Sequence, residues 1–538
     1  MKFRWFWTLA VPPLLGALIL CVCRVSNSLA QPGESVAPPP IPSPYSSVRI
    51  EGVPHVHQKP DFCGEACAAM YLAKLGHRID QDQVFNESGV DPELGRGCHT
   101  RELARVLGQI GFQVGKVWFT ASPDRADTDL EKLFSGLHAD LRAGVPSIVC
   151  MRYDESPAAT EHFRLILGFD RAKDAVIYHE PAEAGGGYRE MERKRFLSLW
   201  PLKYSDREWT VIRMRLAPGE IRTLTRPKTR FTAADYAQQV IKAKSQAGEG
   251  FEFIIQKPFV VAGDGPLSTT REIARDTIGW AVNRLKQEYF SEDPAQIICV
   301  WLFKDEESYR KNTERIWGEA PDTPFGYYSH RHQALVMNID TGTGTLVHEL
   351  VHPFIATNFP ECPSWFNEGL ASLYEQCGDN RGRIWGRTNW RLKGLQDAIE
   401  PPKPPEPEAK PESSTRGAAA PATAGTSGNA AAPAKEPPSK PPVVERRELA
   451  PFKVLCGTSD YAFYYADKGA NYAQARYLCY YLQQQGLLRK FYHQFRKDVQ
   501  SDPTGYETLK SVLGISDEAE MEKFFQKWKD WVMRLRYP

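Results

Sequence analysis

Residues 401–447 are almost wholly Pro, Ala, Lys, Glu, Ser and Gly, so this stretch has next to nothing with which to build a core. It is expected to be a disordered linker. Folded structure is therefore expected on either side of it. The chain has 538 residues, too many for one compact core. Residues 46–225 and 226–400 each alternate helix and strand signals, and 448–538 is strongly helical, an α+β composition. The segment from Tyr472 to Phe495 carries more apolar surface than a free helix exposes. The tail is thus expected to fold back onto the 226–400 domain. No internal repeat is present.

Residues 1–30 read as a signal peptide. Lys2 and Arg4 precede the apolar run Phe6 to Cys23, and Ser28-Leu29-Ala30 offers small residues before Gln31. An uncleaved anchor is the alternative, since a run of about 18 residues can just span a bilayer. A lipoprotein fits less well, because Leu20 and Val22 precede Cys21 and Cys23. The rest of the chain is expected to be exported, to a periplasm, cell envelope or medium, with membrane contact only if the segment stays attached. Residues 31–45, rich in Pro and Ser, read as a flexible leader. Of the 11 cysteines, Cys21 and Cys23 fall in the signal, and the odd remainder leaves at least one thiol unpaired in a monomer.

Lys+Arg 67 against Asp+Glu 66 leaves a net charge of +1, with no clustered basic excess. Phosphate-cradling glycine motifs are absent. No nucleic-acid partner is expected, and the basic residues near 489–497 read as a solvated helix face.

The segment Thr345-Leu-Val-His-Glu-Leu-Val-His352 has the HExxH pattern. On a helix, positions four apart share a face, so His348 and His352 can reach one cation. Glu349 then sits beside the open coordination position as a general base. Thr341 or Thr343 is a candidate cap for this helix. Pro353 removes a donor and is expected to kink or end it. A catalytic zinc needs a third protein ligand, and Glu368 in Trp365-Phe-Asn-Glu-Gly-Leu-Ala371 supplies one at the start of a helix over Glu368 to Gln376. A metzincin is excluded by Ile355 and Asn358, where Gly and His are needed.

This constellation resembles the gluzincin zinc peptidases, over roughly 226–400 plus the tail. The resemblance implies a thermolysin-like fold, one Zn2+ per chain held by His348, His352 and Glu368, a water nucleophile and peptide hydrolysis. Strands are expected at Phe259 to Gly263, Ile297 to Phe303 and Ala334 to Ile339, with a helix over Thr270 to Tyr289. The resemblance implies that the last strand is the edge that pairs with extended substrate. It also implies an oxyanion donor from the later helices, for which Tyr472 is the candidate, with Tyr477 behind it. The thermolysin-like pattern has an aspartate where Ser372 stands, and Glu375 is the candidate replacement behind a ligand histidine. Cys362 and Cys377 flank the Glu368 helix and are candidates for a bridge.

Nearer the start stands Gln58-Lys-Pro-Asp-Phe-Cys63-Gly-Glu-Ala-Cys67. A helix is expected from Cys63 to Leu75, with Cys63 at its N-terminus, where the dipole favours a thiolate. Gln58 can donate its amide to an oxyanion. Strands Glu161 to Gly168 and Asp174 to His179 form a hairpin that brings His162, the candidate base, near Glu180, its candidate orienter. Residues 46 to about 205 resemble the papain-like cysteine peptidases that trim double-glycine leader peptides. In that family Asp or Asn usually stands where Glu180 does. Alternatively Cys63 is a core or disulfide cysteine, with Cys98 as its candidate partner. His55, His57, His99 and His179 read as loop or surface histidines.

Together these readings describe an exported zinc endopeptidase acting on protein or peptide, with a front module that cuts or binds peptide. The alternatives are a non-catalytic envelope peptide-binding protein, or a cysteine peptidase with an inactive zinc domain.

Overall fold

Two sheets organise the chain, and the pattern of apolar residues explains each. The computed structural model describes residues 43–225, 228–401, 449–465 and 469–537. The expected signal peptide, most of the leader and all but the first residue of the linker lie outside them. No helix among the described residues is long and apolar enough to cross a membrane.

The first sheet follows β1 (Val48–Arg49), α1 (Cys63–Lys74), α2 (Gln81–Ser88), α3 (Thr100–Ile110), β2 (Phe112–Gln113) and β3 (Trp118–Ala121). It continues through α4 (Ala126–Arg142), β4 (Ser147–Arg152), β5 (Glu161–Asp170), β6 (Ala175–His179) and β7 (Arg189–Glu192). α5 (Arg193–Leu199), β8 (Trp209–Arg215) and β9 (Ala217–Pro218) complete this part of the chain, with β2 and β9 paired to each other apart from the main sheet. The antiparallel order is β3-β8-β4-β5-β6-β7, with β1 beside β5. Alternate residues of β5 serve two cores: Phe163 and Leu165 face α1 and α3, while Ile166 and Phe169 face α4. Helix α1 lies close on β5 because its second residue is Gly64, whose Cβ would come within 2.5 Å of Leu103 Cδ2 and 3.1 Å of Phe163 Cδ2.

The second sheet is preceded by α6 (Ala233–Ala247) and contains β10 (Glu252–Gln256) and β11 (Phe259–Gly263). A helix then runs from α7 (Leu267–Glu272) through a π turn (Ile273–Gly279) into α8 (Trp280–Glu288). Next come β12 (Ile298–Phe303), α9 (Glu306–Trp317), β13 (Gly326–Ser329) and β14 (Ala334–Asn338). The order is β10-β11-β12-β14-β13, with the three central strands parallel. These strands are apolar at nearly every position because both faces are covered. Phe259, Val261, Val300 and Leu335 face one core, and Val260, Trp301 and Val336 the other. The strand expected at the edge, β14, is therefore interior. β13 pairs beyond it and is the true edge, because the polar Gly326–Ser329 segment folds back in a hairpin.

Helices α10 (Gly344–Asn358) and α11 (Ser364–Leu373) follow, then the hairpin β15 (Cys377–Asn380) and β16 (Arg383–Gly386), and α12 (Arg391–Ile399). Helix α10 does not end at Pro353. It runs on for five residues because Phe354, Ile355 and Asn358 are buried, and Asn358 Oδ1 accepts from Ser291 N and Glu292 N at 3.0 Å each. Thr343 occupies the N-cap position without a side-chain cap, and Thr341 Oγ1 instead donates to Asn338 O at 2.8 Å. Helix α11 begins at Ser364 rather than at Glu368, because Pro363 sets its entry.

The tail comprises α13 (Phe452–Cys456), α14 (Asp460–Tyr465), α15 (Ala470–Gln484), α16 (Leu488–Asp498), α17 (Tyr506–Leu513) and α18 (Glu518–Arg534). Tyr477, Leu478, Phe491, Phe495 and Trp528 join the core formed by α8, α10 and α11. The tail thus packs where the excess apolar surface of 472–495 requires. Arg489, Lys490, Arg496 and Lys497 of α16 are exposed, as a solvated face should be. The described residues from Tyr45 onward form one compact unit. Along its seam, Gln238 Nε2 donates to Pro60 O at 2.9 Å and Ile255 N to Glu93 Oε1 at 2.8 Å.

Gly369 lies where α11 meets α15, and a Cβ there would sit 3.0 Å from Ala475 O and 3.1 Å from Cys479 Sγ. Gly369→Val is expected to separate the two helices and cost roughly 1–3 kcal/mol in denaturant unfolding, as overpacked cores do.

Candidate active sites

Helix α10 presents His348 and His352 on one face, with ring centroids 5.0 Å apart. Glu368, in the second turn of α11, points between them. Its Oε2 lies 3.3 Å from His348 Nε2 and its Oε1 3.9 Å from His352 Nε2. Glu349 stands further from His348, at 4.0 Å from its Nε2, and about as far from His352 as Glu368 does, at 3.8 Å from its Nε2. Donor atoms of His348, Glu349 and His352 lie within 4.8 Å of one another. Glu368 is nevertheless the better third donor, because it makes the shortest carboxylate approach to either Nε2. Tetrahedral zinc with bonds of roughly 2.0–2.1 Å separates its ligand atoms by about 3.3 Å, which the 3.3 Å approach of Glu368 Oε2 to His348 Nε2 matches.

Each ring is held from behind. His352 Nδ1 is 3.0 Å from Asn367 Oδ1. His348 Nδ1 is 3.3 Å from Glu375 Oε1, at ion-pair distance but without hydrogen-bond alignment. Glu375 is itself gripped by Arg391, Nη2 at 2.7 Å from Oε1 and Nε at 3.0 Å from Oε2, and by Asn389 Nδ2 at 3.0 Å. Ser372 takes no part in this support, since its hydroxyl turns back to Glu368 O. Burial opposes charge on all three central groups, and the partners prevail. Against burial, Glu368 and Glu375 hold His348 well above its ordinary value. Glu368 falls to about 2 through His352 and His348, and Glu375 to about 2 through His348 and Arg391.

Glu349 is oriented by the edge strand: Tyr328 N donates to its Oε2 at 3.1 Å. Tyr472 lies near the cluster. Burial first, and then the charges of Glu368, Tyr464 and Glu349, push its phenol up, and the Arg391 guanidinium lies 5.3 Å from its ring centre. Tyr477 is instead a core tyrosine whose hydroxyl accepts from Asn389 N at 3.0 Å. Cys362 and Cys377 are unbridged, as are all the described cysteines.

In the front module, Gln58, Cys63, Cys98, Cys150 and His162 line one cavity of about 950 Å³. Cys63 is the first residue of α1, as expected. The expected thiolate is not favoured there, because burial pushes Cys63 up to about 12, and Glu65 and Asp61 add to the effect. Cys98 makes no bridge to it. Register pairs Leu165 with His179, and His162 reaches across so that its Nε2 lies 2.5 Å from Glu180 Oε1. This leaves Nδ1 as the nitrogen available to a thiol. The other oxygen of Glu180 accepts from Arg164 Nε at 2.6 Å, and Ala182 N donates to Oε1 at 3.1 Å. Gln58 is anchored by its own N–H to Pro181 O at 2.9 Å, and its buried Oε1 has no hydrogen-bond partner.

His179 is not a surface histidine. It is fully buried against Met70 Sδ, at 3.3 Å from Nδ1, and burial, His55 and Arg49 lower it to about 4. His55 Nε2 contacts Glu180 O at 2.8 Å, whereas His57 and His99 are exposed.

Sequence reasoning missed Arg164, Asn367, Arg391, Tyr464 and the Tyr328 amide. Only Asn367 carried a signal, being the neighbour of Glu368 in the Asn-Glu pair.

Residues 50–205 match the model of the Peptidase_C39 like family, a family of papain-like cysteine peptidases. The front module is thus C39-like within a mixed α+β chain. No curated protein matches the chain.

Glu65 Oε1 accepts from Cys98 N at 2.7 Å, and burial raises this carboxyl from 4.5 to about 7. Between these values the folded state holds a proton that the unfolded chain releases, so stability falls as pH rises from 4.5 through 7. Glu65→Gln keeps the acceptor and removes the charge. Its melting temperature should exceed that of the parent at pH 8, and the gap should close toward pH 5.

Proposed function

We propose that this chain is an exported peptide-bond hydrolase with a gluzincin-type zinc site between α10 and α11, joined to a papain-like front module that cuts or grips peptide. The convergence of His348, His352 and Glu368 beside Glu349 carries this reading. A zinc ion held by these three ligands supplies Lewis acidity and a water of lowered pKa.

The chain's own residues account for the remaining chemistry. Glu349, steadied by the Tyr328 amide, takes a proton from the attacking water and returns it to the leaving amine. Asn367 and Glu375 fix the two imidazole planes, so that both Nε2 atoms face the same point. Tyr472 donates to the developing oxyanion. The outer edge of β13, apart from the Tyr328 amide that holds Glu349, offers backbone hydrogen bonds to an extended substrate.

In the front module Cys63 is the nucleophile, His162 the base through Nδ1, Glu180 the orienter and Gln58 the oxyanion donor. Because burial holds the Cys63 proton tightly, attack requires simultaneous transfer of that proton to His162. This favours gripping or slow cleavage in the front cleft. A second reading, in which the thiol carries all turnover, draws support from the match over residues 50–205.

Hydrolysis of an unfolded protein should stop with a zinc chelator and resume on adding zinc. Glu349→Ala should lose roughly 10²–10⁴-fold, and Cys63→Ala should retain most activity. Indifference to the chelator and to Glu349→Ala would reject the metal site as the engine, and loss with Cys63→Ala alone would move the chemistry to the thiol. Binding without turnover in every variant would mark a non-catalytic peptide binder. Separately, Glu375→Gln should weaken zinc retention about 10- to 100-fold in competition with a chelating dye.

A further inference from the structure

Glu368 has a partner from an unexpected quarter. Tyr464, in α14 beyond the linker, donates its hydroxyl to Glu368 Oε1 at 2.9 Å. The same carboxylate turns Oε2 toward His348 Nε2 at 3.3 Å. The two oxygens therefore have different occupations: Oε1 is tied to the tail and stands 3.9 Å from His352 Nε2, and Oε2 faces His348.

The short helix that carries Tyr464 is itself fastened to α11. Asp460 Oδ1 accepts from Ser364 Oγ at 2.5 Å, at the first residue of α11. Phe463 is buried and packs against the Tyr472 ring, with centroids 5.1 Å apart. Tyr461 and Tyr465, on the same short helix, are about three-quarters exposed at 76% and 75%, and Tyr464 is 38% exposed, so it turns further inward than they do. Ser372 is occupied with a backbone carbonyl and offers Glu368 no alternative side-chain donor.

We propose that Tyr464 is a positioning residue for the third metal ligand: it occupies Oε1 and so presents Oε2 to the ion. This rests on the zinc reading above. It gives the helical tail a part in the metal site itself, beyond covering the core. Without the hydroxyl, the carboxylate is free to rotate or to engage through both oxygens.

The test uses the full mature chain loaded with cobalt(II) in place of zinc. The parent protein should bind cobalt and show a visible d–d spectrum. Tyr464→Phe should release cobalt roughly 10- to 100-fold more readily and show an altered spectrum, while the metal-free variant melts where the parent does. Should that variant melt early, Asp460→Ala, which loosens the strap but keeps the phenol, replaces it and should show a spectral change of the same sense. A variant with parental affinity and parental spectrum would overturn the role of Tyr464 and leave the metal site standing. Failure of the parent chain to bind cobalt would overturn the zinc reading and this proposal with it.

Discussion

Helix α11 touches α15 through Gly369, and much else follows from how close that approach is. A side chain larger than hydrogen at this position would meet the backbone of Ala475. With hydrogen there, α15 lies along α11 and brings Tyr472 and Arg476 to it. Arg476 is fully buried and donates from Nε to Ser372 O at 2.9 Å. Its Nη2 donates to Arg387 O while Nη1 has no partner among the described residues, so the Nε and Nη2 bonds fasten the tail to the carboxyl end of the ligand helix and the hairpin after it. The neighbour of Gly369 in sequence is Glu368. Tail packing and ligand placement are thus properties of adjacent residues on one helix.

The two candidate sites solve the orientation of imidazole in similar ways. In each, a carboxylate stands behind a histidine and an arginine stands behind the carboxylate: Glu375 and Arg391 for His348, Glu180 and Arg164 for His162. The arginine keeps the carboxylate ionised in a buried place and fixes its plane. The sites differ in their reacting groups. Carboxylates surround the histidines of α10 and favour a cation, while burial and nearby acids keep the Cys63 proton in place.

Much of this was legible in the sequence because the relevant patterns are local. Fully apolar runs such as Ile298–Phe303 announce strands covered on both faces, and the four-residue spacing of His348 and His352 fixes a shared helix face. The hairpin joining His162 to Glu180 follows from two strands and a short turn. What escaped was set by tertiary contact. Nothing local in Tyr464 or Arg391 distinguishes it from any tail tyrosine or surface arginine. Pro353 should stop a helix, yet buried neighbours carry α10 past it. The misplacement of the edge strand has the same origin, since Gly326–Ser329 is too short and polar to announce a strand before its partner is known.

That short strand has one further property. Tyr328 lies opposite Leu335, and its N–H points away from β14 to Glu349. Ladder bonds alternate along a strand, so Tyr327 and Ser329 point inward. A slip by one residue would turn an inward-facing amide toward Glu349 and reverse every side chain of β13. The carboxylate on the neighbouring helix would still meet an amide, so the register is set by the side-chain alternation of the sheet itself. Glu349 is steadied by whichever residue that register presents, here Tyr328.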